Sequence, residues 1–571
     1  MFKVIPPLQS YLRNTAFRRF SSQLSSAAPR VKTEFSSKPS VLPLRPYHRS
    51  FSSTFAKMSD LTVELTAPNG KKYVQPTGLF INNEWVKSST GQKITSINPS
   101  SAYYDSANFM IRDESEIASV YAASAEDVDT AVKAARAAMR NPEWRDMSPT
   151  DRGSLMIKLS TIIAEHTELL ATIETWDNGK IYNDAVADVN EVEAVFKYYG
   201  GYADKIHGQV IDTGVAKFAY TIKEPIGVCG QIIPWNYPLG MAAWKLGPAL
   251  ACGNAVVIKA AEQTPLSILV LANLIKEAGF PPGVVNILNG YGREAGAAIA
   301  THQDIDKVAF TGSTSTGKEI MKMAAGTMKN ITLETGGKSP LMIFDDADLD
   351  QAVKWAHFGI MSNQGQICTA TSRILVQDSI YDKFIDAFKK QVKEVSVVGD
   401  PFAETTFQGP QVTKAQYDRV LGYVQIGKDE GATLLSGGEA FTNAHPSGKG
   451  FFITPTVFTD VKPSMRIYRE EVFGPFCAIA SFKTEEEAVE MANDTTYGLG
   501  SAIFTTNLDR AHKLARRIEA GMVWINSSQD SDYRIPFGGV KQSGVGRELG
   551  EAGLIAYSQV KAVHINLGTR L

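Results

Sequence analysis

Cys368 lies in the run Asn363-Gln364-Gly365-Gln366-Ile367-Cys368-Thr369, a polar stretch containing a glycine, whereas Cys229 and Cys252 have apolar surroundings. A nucleophilic cysteine needs an accessible sulfur and a lowered pKa, and a polar turn near helix-start N–H groups is expected to offer both. A structural thiol suits the same position, so the cysteine alone decides nothing. Glu334, in Leu333-Glu334-Thr335-Gly336-Gly337-Lys338, ends an apolar run that reads as a strand at a sheet edge. A partly desolvated carboxylate facing a cleft there would have a raised pKa and could take a proton from water; a helix cap or a salt bridge is the bland alternative. Asn236 sits between Pro234 and Pro238 in Pro234-Trp235-Asn236-Tyr237-Pro238. Restricted backbone makes its amide a rigid donor, suited to an oxyanion or simply to a turn.

A second group of residues suits a nucleotide. In Phe310-Thr311-Gly312-Ser313-Thr314-Ser315-Thr316-Gly317, a strand end meets a helix start through small polar residues. Free N–H groups at such a turn favour phosphate oxygens, and a plain capped turn is the competing reading. The run lacks the GxGxxG spacing, and Glu319 replaces the Ser or Thr of a P-loop. Lys259 and Glu262 follow the run AVVIK, where a carboxylate could accept hydrogen bonds from ribose hydroxyls and disfavour a 2′-phosphate, which points to NAD over NADP. A surface Lys–Glu pair in a loop would look the same.

The elements that must position these residues alternate. LFINNEWV reads as short turn-rich strands, Ala125 to Met139 as a helix, and Asp151 to Asp177 as a second amphipathic helical stretch that breaks at Asn178-Gly179. Between Val228 and Ile343 the β-branched runs AVVIKA, VVNILNG, KVAFTGS and NITLETG alternate with helices LSILVLANLIKEAG and TGKEIMKMAAGT. That rhythm predicts an α/β chain with a parallel, doubly wound sheet whose ligands bind at strand C-termini. A second α/β segment extends from about Gly337 to Asp530, with helices SIYDKFIDAFKKQV and EEEAVEMANDT. The C-terminal AYSQVKAVHINLG alternates like a strand with little chain left to pair with, which suggests use across a subunit boundary. Ser100 to Glu116 reads as a surface insertion.

At 571 residues the chain exceeds one hydrophobic core. No run of about eighteen apolar residues offers a membrane span, and a net charge of −2 argues against a broad nucleic-acid footprint. That average hides an asymmetry. Residues 1–57 hold ten Lys or Arg and one acid, Glu34, leaving 48 basic and 59 acidic residues in 58–571, a balance of −11. An Arg-rich, Ser-rich, acid-poor leader reads as a mitochondrial transit peptide, with a disordered basic tail as the alternative; initiation at Met58 would give a leaderless cytosolic form. Four scattered cysteines and eight dispersed histidines suggest neither disulfides nor a metal.

PWNYP, KAAEQTP, FTGSTSTG, LETGGKSP, GQICTA, EEVFGPF, PFGGVKQSG and GRELGE occur in this order across about residues 75–571, and in type, order and spacing the chain resembles the aldehyde dehydrogenases. The resemblance implies a mitochondrial-type, hydrolytic, non-acylating enzyme that oxidises aldehydes to carboxylates with NAD. Cys368 would attack the aldehyde, Asn236 and the Cys368 N–H would hold the oxyanion, and Glu334 would activate water against the thioester. Pro234, Trp235, Lys259, Glu262, Gly312, Ser313, Gly317, Glu471 and Phe473 would bind the cofactor, and Lys245 and Glu548 match a proton path. Tyr237, Met241, Trp244 and Phe537 look like substrate-tunnel lining, although each equally suits core packing. The resemblance further implies a Rossmann-like NAD-binding domain (75–206 and 227–336), an α/β catalytic domain (337–542), and a small β oligomerisation element (207–226 and 553–571) of a homotetramer, with a dimer as the alternative. Acetaldehyde and other aliphatic aldehydes come first as substrates, and betaine or amino aldehydes second, because an aromatic tunnel could favour a cation. Ile367 and Thr369 stand where several relatives place cysteines, so their substrate preferences do not transfer. A CoA-acylating relative, a cysteine hydrolase and a catalytically silent lens-type member are the rivals; Glu334, the missing histidine partner and the intact Cys368, Glu334 and Asn236 argue against them in turn.

Overall fold

A computed structural model describes residues 60–101, 104–105, 110–111, 116–444 and 448–571. The basic leader and most of the 100–116 insertion therefore lie outside the described residues; of the insertion, Tyr104–Asp105 pairs antiparallel with Met110–Ile111.

The larger sheet carries most of the chemistry. Its strands lie in the order Gly544–Val545, Asn330–Glu334, Lys307–Thr311, Val228–Ile232, Ala255–Lys259, Val285–Leu288, Leu79–Ile81, Glu84–Val86. The five inner strands are parallel, as the βαβ rhythm predicts, and are apolar and buried along nearly their whole length because helices cover both faces. The strand Val228–Ile232 has Ala255–Lys259 on one side and Lys307–Thr311 on the other, so the winding direction reverses between Val228–Ile232 and Lys307–Thr311. A crevice opens at the C-terminal ends of such a pair, and here those ends lead directly into Pro234-Trp235-Asn236 and into Gly312-Ser313. The outermost hairpin turns at Asn82 and Asn83, with φ of 55° and 60°, values that asparagine tolerates in a tight two-residue turn.

Glu334 is not at the edge of this sheet. The two-residue strand Gly544–Val545 adds beyond it, pairing Gly544 with Glu334, so the carboxylate is roofed by the segment that follows PFGGVKQS. The helical stretch read from Asp151 to Asp177 is two helices, Pro149–Glu165 and Thr167–Asn178, divided at His166; the second ends, as read, on Gly179 with φ 87°. The terminal strand Ser558–Asn566 is also paired, contrary to expectation: it runs antiparallel to Lys217–Pro225 in the same chain over nine residues. Alternation marks the terminal strand and the family resemblance its partner near 207–226, but their pairing spans more than 300 residues of sequence and only the folded core between them brings it about.

The second sheet, in the order Thr433–Ser436, Thr456–Thr459, Phe476–Phe482, Arg373–Gln377, Pro340–Ile343, Gly500–Phe504, Met522–Ile525, is parallel except at its first pair. Helices Leu349–Met361 and Tyr381–Val395 pack on one face, against Leu341, Ile343, Ile374 and Val376.

Candidate active site

A cavity of about 790 Å³ lies between these elements, lined by Cys368, Glu334, Asn236, Glu548, Pro234, Trp235, Gly312, Ser313, Glu471, Phe473, Tyr237, Met241, Trp244 and Phe537. Fourteen residues drawn from motifs more than 300 positions apart thus line one cavity. Lys245 stands directly behind it, while Lys259, Glu262 and Gly317 lie outside the lining.

The loop that carries Cys368 is shaped by three successive left-handed residues, Asn363, Gln364 and Gly365, with φ of 46°, 57° and 67°, which reverse the chain after Leu349–Met361. Non-glycine residues held in that region store strain, a frequent mark of functional loops. At Gly365 the demand is steric: a Cβ there would lie 1.9 Å from the carbonyl oxygen of Gly474, next to Phe473. The loop that carries Cys368 and the loop that carries Phe473 are therefore in direct backbone contact. Asn236 Nδ2 donates to the Gln366 carbonyl at 2.9 Å, fixing its amide beside the same loop, and Asn178 Nδ2 donates to the Trp235 carbonyl at 2.7 Å.

The electrostatics around the sulfur reverse one expectation. A lowered thiol pKa was expected at Cys368, but burial, reinforced by the carboxylates of Glu334 and Glu471, pushes it up to about 12. The residue is half-buried rather than exposed, and its neighbours are acids where a thiolate would need a cation.

Glu334 is only 3% exposed, and neither carboxylate oxygen has a hydrogen-bond partner among the described residues. Burial, and then the negative charge of Glu548, raise its pKa well above the usual carboxylate value. Room for it comes from Gly538, where a Cβ would meet Glu334 Oε1 at 2.6 Å. Lys245, fully buried, donates to Thr311 Oγ1 and to Glu548 Oε1, each at 2.6 Å. Reciprocal backbone hydrogen bonds between Phe537 and Glu548, of 2.7 and 2.8 Å, tie the aromatic lining to that carboxylate.

Several side chains could hold a dinucleotide. Ser313 caps the helix Thr314–Ala324, its Oγ accepting from the Thr316 N–H at 3.2 Å, and Gly312 through Ser315 face the cavity. Glu471 accepts from the Gly337 N–H at 2.9 Å, and burial raises its pKa to about 7. Gly336 makes space for it, since a Cβ would lie 2.4 Å from Glu471 Oε2. Trp235 and Phe473 meet edge to face at 5.3 Å. Lys259 Nζ donates to the carbonyls of Ala260 and Gly290, both at 2.7 Å, and lies 3.4 Å from Glu262 Oε2; Glu262 is one-third exposed. Gly317 packs the capped helix onto Thr335.

Sequence reasoning missed Gln416 and Arg419, which hold the Glu471–Phe473 loop by its backbone: Gln416 Nε2 donates to the Phe473 carbonyl at 2.6 Å and Arg419 Nη2 to that of Glu471 at 2.5 Å. It also missed Lys180, Asp184, Asp188 and Glu191 along another part of the wall. Nothing in the sequence marks Gln416 and Arg419, but the acids recur at helical spacing and could have been read as one face.

Elsewhere in the lining, Trp244 and Phe537 pack edge to face at 4.8 Å, and Lys180 Nζ lies 4.1 Å over the Tyr237 ring. The cavity thus sets the apolar side chains of Met241 and Phe537 beside Trp244 and the acids Asp184, Asp188 and Glu191, is polar near Gly312 to Ser315, and also carries a thiol and the Glu334 carboxylate, unpartnered among the described residues.

Comparison with known proteins gives a consistent result. The sequence model of the aldehyde dehydrogenase family matches residues 85–563. An aldehyde dehydrogenase of Davidiella tassiana is 52% identical over 511 residues, covering 89% of this chain and 99% of the relative. A mitochondrial aldehyde dehydrogenase of Mesocricetus auratus is 50% identical over 510 residues, covering 89% and 98%. Among solved structures, the NAD+ complex of a Bacillus cereus aldehyde dehydrogenase is similar, with a TM-score of 0.82, 46% identity, and coverage of 86% of this chain and 97% of that one.

Proposed function

The chain belongs to the aldehyde dehydrogenase family, and from that premise we propose that it oxidises aldehydes to carboxylic acids through a thioester on Cys368 that water hydrolyses with Glu334 as base. The observation that carries this reading is the shared cavity in which Cys368, Asn236 and the unpartnered Glu334 face one another's space. Aldehyde, NAD and water give carboxylate, NADH and two protons.

Cys368 forms the C–S bond as its S–H proton passes to the Glu334 carboxylate and on to solvent, and the second amide hydrogen of Asn236, together with the Cys368 N–H, stabilises the oxygen that becomes negative. When bound, NAD would supply the hydride acceptor, and Glu471 and Phe473, which line the same cavity as Cys368, would hold it there. Glu334 then removes a proton from water as the water oxygen attacks the thioester, and the C–S bond breaks to return the thiol. Its raised pKa supports that task, since a poor anion in a dry site is a strong base. Behind it, Lys245 is hydrogen-bonded to Thr311 and to Glu548, and this group offers the proton a way out once water bridges to Glu334.

Gly312, Ser313, Gly317, Pro234, Trp235, Glu471 and Phe473 hold NAD in this reading, with Lys259 and Glu262 at the adenosine ribose. Glu262 favours NAD over NADP because its carboxylate would repel a 2′-phosphate. Acetaldehyde and other aliphatic aldehydes suit the apolar stretch at Met241, Trp244 and Phe537. Residues 75–206 and 227–336 form the NAD-binding domain and 337–542 the catalytic domain. The sheet of Val210–Asp212, Lys217–Pro225 and Ser558–Asn566 exposes Val210, Ile211, Phe218, Val560 and Ile565, which supports its use as the oligomerisation element of a homotetramer. The basic leader, and mitochondrial relatives at about 50% identity, support a mitochondrial matrix location, with a cytosolic form from Met58 as an adjunct.

The test is product analysis with a panel of aldehydes offered NAD, NADP and CoA. Carboxylate and NADH without CoA are expected. Acyl-CoA as the product would refute the hydrolytic assignment.

A further inference from the structure

One wall of the cavity is acidic. The helix Tyr182–Tyr202 presents Asp184, Asp188 and Glu191 to it at i, i+4 and i+7, one face of the helix, and Lys180 precedes them. Lys180 Nζ pairs with Asp188 and lies on the Tyr237 ring, so one carboxylate and one aromatic face are already occupied by an ammonium of the protein itself. Glu191 accepts one hydrogen bond, from Trp244 Nε1 at 3.1 Å. Asp184 has no hydrogen-bond or ion-pair partner among the described residues. After Lys180 cancels Asp188, two carboxylates with free lone pairs remain on the wall of the cavity that holds Cys368. The other basic lining groups, Lys318 and Arg419, belong to its opposite, nucleotide-facing part, where they donate to Gln542 and to the Glu471 carbonyl.

We infer that this wall binds the protonated amine of an ω-amino aldehyde, whose carbonyl end reaches Cys368, and that Asp184 and Glu191 are the specificity-determining residues. The inference rests on the reading of the cavity as the aldehyde's route to Cys368. A primary ammonium brings three N–H donors, which match carboxylate oxygens lacking partners. A quaternary ammonium has no donor and relies on aromatic faces, and the Tyr237 ring already carries Lys180. Burial and the neighbouring acids agree with the need for a cation: Asp184 is raised to about 6 by burial and then by Asp188, and Glu191 to about 7 by burial, Asp188 and Asp532, with Lys180 opposing in both. Below the face, Glu174 is a further acid within reach of Lys180. A bound ammonium relieves this crowding, and a neutral aldehyde does not.

The test compares kcat/KM of the full chain for 3-aminopropanal, propanal and betaine aldehyde with NAD at pH 8. The amino aldehyde is expected to exceed propanal by on the order of 10- to 100-fold, the scale of one or two charge-assisted hydrogen bonds. In Asp184→Asn and Glu191→Gln the ratio of the two values should fall about tenfold, and thermal unfolding of each variant checks that it is folded. Propanal oxidised as efficiently as 3-aminopropanal would overturn the inference while leaving the dehydrogenase reading intact. Betaine aldehyde as the best of the three would overturn it too, by assigning the wall to a quaternary ammonium. If no aldehyde is oxidised, the reading of the cavity fails and this inference fails with it.

Discussion

Replacing Gly365 by alanine should disable the enzyme through geometry alone, with no chemical group removed. The added Cβ would lie 1.9 Å from the Gly474 oxygen, 2.2 Å from its carbon and 2.7 Å from the Pro475 nitrogen, and Cβ atoms are essentially never found within 3.0 Å of such atoms. All three atoms are backbone, so no rotamer relieves the clash, and the two loops must part by about 1.1 Å. One loop carries Cys368 three residues on, and the other carries Phe473. A displacement of about 1 Å at a reacting group costs on the order of 100-fold in rate, or about 2.7 kcal/mol. The positive φ of 67° adds a strain of roughly 1–2 kcal/mol to stability. Steady-state kcat/KM and thermal unfolding measure the two effects separately, and Gly326→Ala, where nothing lies within 4 Å of the added Cβ, is the matched control. A Gly365→Ala enzyme with kcat/KM within threefold of the parent would show that the loop contact does not position the sulfur.

Two further outcomes follow from the buried acids. Glu334→Gln should keep a rapid first burst of NADH but slow the subsequent steady state by about 10²- to 10⁴-fold. In the parent, that steady-state rate should rise with pH, because burial holds the Glu334 carboxyl protonated above its ordinary range and only the carboxylate is a base; unchanged turnover in the variant would remove Glu334 from the role of base. Glu174 is 1% exposed, and burial raises its pKa to about 7 against the opposing pull of Lys180 and Ser267. Its folded-state pKa exceeds the unfolded one, so its contribution to stability is full below pH 4.5 and is lost as pH climbs through 7. Glu174→Gln should therefore flatten the fall in stability between pH 5 and pH 8, with a gain at pH 8 of up to about 3 kcal/mol by urea denaturation; parallel curves for parent and variant would disprove it.

Periodicity and turn chemistry are properties of neighbouring residues, which is why the alternation of apolar runs with helices announced a parallel doubly wound sheet, and why Ser313 before Thr314 announced a helix start. The motifs around Cys368, Glu334, Asn236 and Glu471 also named side chains that the fold does bring to one cavity. Other features depend on distant partners. Gly544–Val545 roofs Glu334 and Ser558–Asn566 returns to Lys217–Pro225, and no local pattern marks either pairing. The Cys368 thiol illustrates the same division: its polar neighbours in sequence suggest an easily ionised sulfur, whereas burial and the carboxylates of Glu334 and Glu471, brought near it by the fold, oppose ionisation. Residue type and order determined which groups could react. Only tertiary packing decided their charge, because desolvation and Coulomb interaction depend on distance through space and not on separation along the chain.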